Sequence, residues 1–260
     1  MINMKIVTWN VNGLRSVYKK GFLEWLSKED ADVVCLQEIK VGEDVIPAGL
    51  KNIDRYHAFF NCAAKPGYAG VAVYTKKKPK NVSRPSFSDR FDQEGRILEL
   101  EFDDFNLINL YLPHGGRQKE NLEYKLDCYR HLQRYLSEEQ NRNVVLAGDF
   151  NIAHGEIDLA RPKQNKDNIM FTPEERAQLD ELISIGFIDS FRHFRPDGAG
   201  YYTWWPYMAD ARTRNLGWRI DYIFVSKTLS VSVSGASILS DVLGSDHCPL
   251  GIDLEMSHKH

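Results

Sequence analysis

The sequence predicts an α/β protein in which stacked β-sheets are flanked by helices. Short strand-like segments recur along its 260 residues, and fewer helical segments lie between them. Several strands are apolar on consecutive residues, which is typical of sheets covered on both faces. Strands and helices alternate early in the chain, whereas strands follow one another in the middle. These patterns do not fix the order of the strands.

The predicted strands are short runs rich in apolar, β-branched and aromatic residues. The first lies close to the start of the sequence, and the others are spread along the chain. They cover residues 5–9, 33–37, 56–60, 71–75, 97–102, 106–111, 144–147, 222–225, 237–239 and 250–254.

The predicted helices are marked by apolar residues spaced three and four positions apart. Phe22, Trp25 and Leu26 form one such stripe, and a longer stripe runs over residues 122–136. Thr172 followed by Pro173 is typical of a capped helix start with proline in the first turn. The sequence therefore predicts helices at these three places.

Composition indicates one globular domain. The net charge is −3, from 33 Lys and Arg against 36 Asp and Glu, which argues against a protein that coats nucleic acid without specificity. The basic run at residues 76–80 is interpreted as a solvated strand end. We expect a single domain over residues 1–260, with a frayed tail at 256–260.

The four cysteines are widely spaced and predict neither a disulfide framework nor a cysteine-based zinc site. Cys35 lies in an apolar run and is expected in the core. No apolar run approaches the roughly 20 residues that span a bilayer. We therefore expect an intracellular, cytoplasmic protein in a reducing compartment, with no membrane partner.

Acidic, amide and histidine side chains gather where predicted strands begin or end, and such loops commonly hold functional groups. Their oxygen atoms suit Mg²⁺ or Mn²⁺ better than zinc. Each residue alone is more often a turn former, a helix cap or a satisfied core residue, so only the set indicates a site. The set is Asn10, Asn12, Glu38, Asp149, Asn151, Asp246 and His247.

Several motifs resemble, in chain order, those of the exonuclease III family of abasic-site endonucleases. The resemblance runs from about residue 5 to 254, and agreement among independent motifs argues against chance. It implies a four-layer α/β sandwich of the deoxyribonuclease I type, with two mixed sheets face to face between helices. The motifs are Trp9–Arg15, Leu36–Glu38, Gly148–Asn151, Glu156–Leu159, Gly217–Tyr222 and Gly244–Pro249.

This resemblance implies a metal-dependent DNA repair phosphodiesterase. Such an enzyme hydrolyses the backbone of duplex DNA 5′ of abasic sites, leaves a 3′-hydroxyl and has 3′→5′ exonuclease activity. The implied cofactor is Mg²⁺, which Mn²⁺ can replace, and the implied partner is double-stranded DNA containing abasic sites. We expect a monomer.

The resemblance also implies the metal ligands. Glu38 is the expected ligand, with Asn10 and Asn12 beside it. Asp246 is the candidate for a second metal position, and the number of metal ions stays open.

The implied catalytic residues orient water and bind phosphate. Asp149 and Asn151 would orient the attacking water, and either Asp149 or His247 would be the general base. His247 would hold the phosphate, because a carboxylate such as Asp221 on one imidazole nitrogen fixes the tautomer. Tyr111 would donate its hydroxyl to the phosphate.

An apolar pocket for a flipped-out baseless sugar is implied by the same comparison. Its walls would be Trp204, Trp218 and Ile220, which exclude an intact base by volume. Trp204 stands at a position where several family members have phenylalanine. His114 stands at a position where they often have an amide side chain. Trp205 is expected in the core. The other implied substrate contacts are Asn165, Asn168, Met208, His114 and Arg117, the last as either a probe into the duplex or a phosphate contact.

Two other functions stay open. One is a phosphoesterase of the same fold that acts on RNA or on a phosphorylated lipid or inositol. The other is a DNA-binding protein with a dead site, which the presence of every catalytic residue type disfavours. The pocket residues and the stretch at 158–162 favour the DNA repair branch.

Overall fold

Two mixed β-sheets form the inner layers of the molecule. The computed structural model describes residues 2–138 and 142–256. The strands are β1 (Ile2–Asn10), β2 (Val33–Gln37), β3 (His57–Asn61), β4 (Val71–Thr75), β5 (Asn81–Ser83), β6 (Ile97–Glu101), β7 (Asn106–Tyr111), β8 (Val144–Asp149), β9 (Phe187–Asp189), β10 (Asp221–Ser226), β11 (Val233–Ile238) and β12 (Leu250–Met256). One sheet has the order β11-β12-β1-β2-β4-β3 and the other β5-β6-β7-β8-β10-β9.

Helices flank the two sheets. They are α1 (Leu14–Lys19), α2 (Phe22–Glu29), α3 (Ala48–Lys51), α4 (Asp89–Gln93), α5 (Leu122–Glu138), α6 (Pro173–Ser184), α7 (Ser190–Phe194) and α8 (Lys227–Ser230). Helices α1 and α2 pack on the first sheet, and α5 and α6 pack on the second. The predicted four-layer sandwich is confirmed.

Side chains of the central strands alternate between two cores. In β1, Ile6 faces the core between the sheets, whereas Val7 packs with the helices outside. In β8, Val145 faces the core between the sheets, and Leu146 packs with the helices outside. Because both faces are covered, these strands are apolar on consecutive residues.

One parallel pair of strands in each sheet brings strand ends together. Strands β1 and β2 are parallel, with Asn10 opposite Gln37, and β7 and β8 are parallel, with Tyr111 opposite Asp149. Strand β10 runs antiparallel to β8 and begins at Asp221, directly opposite Asp149. Carboxylates and amides at these ends are thereby held on rigid strands.

The structure differs from the sequence predictions mainly in short elements. Strands β5 and β9 and helices α1, α3, α4, α7 and α8 were not predicted, because segments of three to six residues carry too little periodicity. Strand β11 begins at Val233 instead of residue 237. Strand β12 continues to the buried Met256, the first residue of the predicted tail, and residues 257–260 lie outside the described residues.

Other sequence predictions concern the surface and the core. Cys35 is buried, as expected, and Trp205 is buried too. The basic run follows β4, and its exposed Lys77 and Lys80 form ion pairs with Asp103. Within the described ranges, the structure contains no helix that is long and apolar enough to span a membrane.

Candidate active site

Asn10 links the two sheets at the centre of the site. It is the last residue of β1, and its side chain is fully buried. Its Nδ2 donates to Glu38 Oε1 at 2.9 Å and to Asp149 Oδ2 at 2.8 Å. Its Oδ1 accepts the backbone N–H of Asn12 at 3.0 Å. One amide therefore fixes the separation of two carboxylates that come from different sheets.

Glu38 follows β2 with a positive φ of 51°, a conformation uncommon outside glycine. Its carboxylate accepts a hydrogen bond from Asn10, and Lys40 Nζ lies 2.6 Å from Oε2. Burial raises the pKa of Glu38, but Lys40 and Asn10 outweigh it, so the pKa lies below its ordinary value. Glu38 is therefore an ionised carboxylate at neutral pH.

Asp149 ends β8 and is almost fully buried. Its Oδ1 accepts the backbone N–H of Asn151 at 2.8 Å, and the Asn151 side chain donates to Leu112 O at 2.9 Å. Burial, together with the negative charges of Asp221 and Glu38, raises the pKa of Asp149 despite the nearby His247. The ionised form of this carboxyl group therefore needs more positive charge than the protein supplies.

His247 precedes β12 and pairs with Asp221 at the start of β10. The distance from His247 Nδ1 to Asp221 Oδ2 is 2.8 Å, and Nε2 lies 4.0 Å from Asp149 Oδ2. Burial lowers the pKa of His247, but Asp221 and then Asp149 raise it above its ordinary value. The imidazole is therefore held as a cation with one N–H directed at Asp221.

Among the described residues, Glu38, Asp149 and His247 form the group that could hold a divalent cation, His247 only after it has lost the proton on Nε2. Each offers one ligand atom, and these atoms lie within 4.8 Å of one another. A cation between Glu38 and Asp149 would counteract the effects of burial and of the negative charges of Asp221 and Glu38, which raise the pKa of Asp149. Carboxylate and amide oxygens are the ligands that Mg²⁺ and Mn²⁺ prefer. The donor set fits such a metal.

Asp246 lies beside these candidate metal-binding residues, and its carboxylate accepts hydrogen bonds from other side chains. Its Oδ1 accepts from Asn12 Nδ2 at 2.9 Å and from Ser245 Oγ at 3.2 Å, and its Oδ2 accepts from Trp204 Nε1 at 3.0 Å. Lys40 Nζ donates to Asn12 Oδ1 at 2.5 Å. The roles of Asn12 and Asp246 at a metal position stay predictions, and these contacts tie both residues to the rim of the site.

The predicted pocket residues form a small apolar cluster next to the catalytic residues. Trp218 and Ile220 are buried with Leu159 and Phe171, and the partly exposed Trp204 packs against them. The ring centroids of Trp204 and His247 are 6.3 Å apart. Trp218 and Ile220 are thus core residues of this cluster, and Trp204 connects them to the site.

The remaining predicted substrate contacts lie on surrounding loops. Burial and the Lys125 charge lower the pKa of the half-buried His114, so its imidazole is neutral. Met208 and Arg117 are exposed. The Asn165 amide donates to backbone carbonyls at 160 and 161, and Asn168 donates to Asn165. Among the described residues, neither asparagine hydrogen-bonds to Glu38, Asp149 or His247.

Sequence reasoning missed Lys40, Ser245 and Lys125. Lys40 forms an ion pair with the Glu38 carboxylate, and Ser245 donates to Asn10 O at 2.8 Å. Lys40 and Ser245 carried only a weak signal, their position next to site residues. Lys125 carried a better one, because it lies three residues after Leu122 and four before Tyr129, on the apolar face of α5.

Comparison with known proteins identifies the family. The model of the Endonuclease/Exonuclease/phosphatase family matches residues 7–247, which include all the strand-end residues described above. The chain belongs to this family.

Individual members of the Endonuclease/Exonuclease/phosphatase family are similar over nearly the whole chain. The exodeoxyribonuclease of Bacillus subtilis (strain 168) is 44% identical, over 95% of this chain and 98% of that protein. The DNA repair nuclease APEX1 of Danio rerio is 42% identical, over 97% and 82%. The structure of the 3′-5′ exonuclease NExo from Neisseria meningitidis has a TM-score of 0.90 at 29% identity, over 97% and 100%.

These relatives confirm the resemblance to the exonuclease III family and the predicted fold. The chain is therefore an enzyme of a hydrolase family that depends on divalent metal.

Proposed function

We propose that this protein is a Mg²⁺-dependent DNA repair nuclease that hydrolyses duplex DNA 5′ of abasic sites and leaves a 3′-hydroxyl. The observation that carries the proposal is the position of Trp204. Its ring packs with Trp218 and Ile220 on one side and its indole N–H reaches Asp246, beside His247. An apolar wall and phosphodiester-cleaving groups thus adjoin, as recognition of a base-free nucleotide requires.

Different strand-end residues would bind the cation and the phosphate. Glu38, with Asn10 and the rim residues Asn12 and Asp246, would hold the cation, which supplies charge stabilisation to the phosphoryl oxygens. The His247 cation, held by Asp221, would bind a phosphate oxygen, and Tyr111 would donate a second hydrogen bond.

A cationic His247 favours Asp149 as the general base, because an imidazolium has no free lone pair to accept a proton. Asn151 would hold the attacking water with Asp149, since its backbone N–H already orients that carboxylate. A general base contributes roughly 10²–10⁴-fold, so most of the acceleration must come from the cation and the fixed donors.

The relatives' names support the choice of substrate. One is a DNA repair nuclease, one an exodeoxyribonuclease and one a 3′-5′ exonuclease. We therefore also propose 3′→5′ exonuclease activity on duplex DNA. The monomeric state and the cytoplasmic location stay predictions from the sequence.

The decisive experiment uses an end-labelled duplex with one abasic site, an identical intact duplex and the corresponding RNA. We expect a nick only at the abasic site, dependent on Mg²⁺, abolished by EDTA and restored by excess Mg²⁺ or Mn²⁺. Extension of the product by a DNA polymerase would show the 3′-hydroxyl. Preference for RNA or for a phosphoinositide over the abasic duplex would refute the assignment, and binding without cleavage would favour a dead site.

A further inference from the structure

A buried ion pair behind the site joins two helices. Lys125 of α5 and Glu175 of α6 have no exposed side-chain surface, and Lys125 Nζ lies 2.5 Å from Glu175 Oε1. Burial lowers the pKa of Lys125, and Glu175 counteracts this effect. Neither residue belongs to the groups assigned to the metal, the phosphate or the pocket.

The ammonium group also binds two loops that follow neighbouring strands. Its Nζ donates to Asn151 O at 2.6 Å, in the loop after β8, and to His114 O at 3.3 Å, in the loop after β7. With Glu175, these acceptors use all three N–H groups of the lysine. The loop that follows Tyr111 in β7 and the loop that follows Asp149 in β8 are thereby both bound to the Lys125 ammonium group.

The carboxylate of Glu175 binds a third loop. Its Oε1 accepts the backbone N–H of Met170 at 3.0 Å, and its Oε2 accepts that of Thr172 at 3.0 Å in the capping box of α6. Met170 belongs to the apolar cluster that contains Trp218. One buried charge pair therefore connects the catalytic loop, the His114 loop and the base of the pocket.

We propose that Lys125 and Glu175 form a positioning unit that holds the Asn151 loop in register with the pocket wall. The inference rests on the proposed function for the identity of the pocket. Asn151 has a positive φ of 52°, and its backbone N–H orients Asp149, so a shift of its carbonyl moves a hydrogen bond to the base. Buried ion pairs seldom add stability over apolar replacements, which suggests that this pair serves geometry.

The test compares three variants. Lys125→Met/Glu175→Gln removes both charges and keeps side-chain size and the oxygen that caps α6. Glu175→Gln alone leaves the lysine donors in place but also leaves the buried Lys125 ammonium without a carboxylate partner, so the double variant is expected to fold more readily. Leu136→Ala is the matched control, because Leu136 is buried on the same helix in a different part of the core.

We expect the double variant to lose roughly 10- to 100-fold in kcat, as a displaced catalytic group does, with KM changed far less. Glu175→Gln should lose several-fold. Hydrogen exchange of the amides at 150–153 should accelerate in both, whereas Leu136→Ala should lower the melting temperature without either change. Wild-type kcat and exchange in folded Glu175→Gln and double variants would overturn the proposal.

Two substrates separate this proposal from the proposed function. All variants are assayed on the abasic duplex and on bis(p-nitrophenyl) phosphate with Mn²⁺. A wild-type enzyme that cleaves only the small diester would refute the abasic assignment. The positioning unit would then still be judged by the kcat losses on that diester and by the exchange at 150–153, which needs no substrate.

Discussion

Glu38 offers the most direct test of the metal site at the scale of one residue. Glu38→Gln keeps the size of the side chain and removes the charge that attracts the cation. We expect metal affinity to fall by at least roughly 10- to 100-fold, as seen when ligand shells are damaged. Turnover at low Mg²⁺ should fall with it and recover partly in excess Mg²⁺ or Mn²⁺.

Calorimetric titration with Mn²⁺ measures this affinity without substrate. Glu101→Gln is the control, because Glu101 is an exposed carboxylate at the end of β6. Unchanged Mn²⁺ affinity in Glu38→Gln would remove Glu38 from the metal site.

His247 and Asp221 predict a dependence on pH. Asp221 contributes most to raising the pKa of His247, so the imidazolium persists into alkaline solution and is lost only as pH rises through the raised pKa. Asp221→Asn should therefore move the alkaline limb of kcat/KM to lower pH. The same sign holds for stability: the contribution of the pair is complete below about pH 6.5, the ordinary value for histidine, and disappears as pH rises through the folded pKa.

The same pair should behave as a unit in turnover. His247→Ala and Asp221→Ala should each reduce kcat strongly, and the double variant should cost far less than the sum of their transition-state free energies. Single-turnover rates at several pH values provide the measurement. Additive losses, with an alkaline limb that does not move in Asp221→Asn, would show that the residues act separately.

Trp204 offers a test of specificity with minimal change in volume. Trp204→Phe keeps an aromatic wall and removes the N–H that donates to Asp246. This hydrogen bond to a charged group contributes roughly 1.5–3 kcal/mol to stability, so the melting temperature should fall, and discrimination between abasic and intact duplexes should fall modestly because the smaller ring leaves more room for a base. The ratio of kcat/KM for the two duplexes gives the answer.

Trp218→Ala separates a pocket wall from a core residue. Truncating a purely structural tryptophan costs roughly 3–5 kcal/mol of unfolding free energy. A pocket role adds a loss of abasic selectivity while hydrolysis of a small phosphodiester is unchanged. A large fall in melting temperature, with selectivity intact in the folded enzyme, would assign Trp218 to the core alone.

At the scale of elements, the β7–β8 pair depends on Gly148. This residue has a φ of 153°, and a Cβ added there would lie 1.9 Å from Leu110 O in the neighbouring strand. Gly148→Ala must force the strands apart next to Asp149 and should cost about 3 kcal/mol of unfolding free energy or more. Urea denaturation should be compared with Gly186→Ala, which has a φ of 103° in open space. Equal losses would contradict the clash.

Helices and strands were predictable where the apolar periodicity extends over many residues or where helix-capping residues can be recognised. Thr172 and Pro173 marked the start of α6, where the structure has a capping box, and several buried strands have the predicted bounds. Strands of three residues carry no such pattern, and β9 is held by its pairing with β10. The positive φ of Glu38 is a tertiary effect and has no signal in the sequence.

At the scale of the whole molecule, the site exists because the two sheets pack face to face. Asn10 and Asp149, 139 residues apart, meet across the sheets. Sequence patterns located both residues at strand ends, and the family motifs supplied their expected roles. Neither could reveal that one amide bridges Glu38 and Asp149, because strand order was not fixed, nor that Lys125 supports the loops, because it lies outside every motif.

The long-range contact between Trp9 and His247 bears on how the enzyme is made in a cell. The two residues are 238 positions apart, and Trp9 Nε1 donates to His247 O at 3.2 Å. At ribosomal speed, roughly 10–50 s separate the synthesis of one from the other. Before His247 is made, a nascent chain that already contains Glu38 and Asp149 still lacks the imidazolium that would bind phosphate. We therefore expect a growing chain to lack activity on DNA until His247 has been made and β12 has paired with β1.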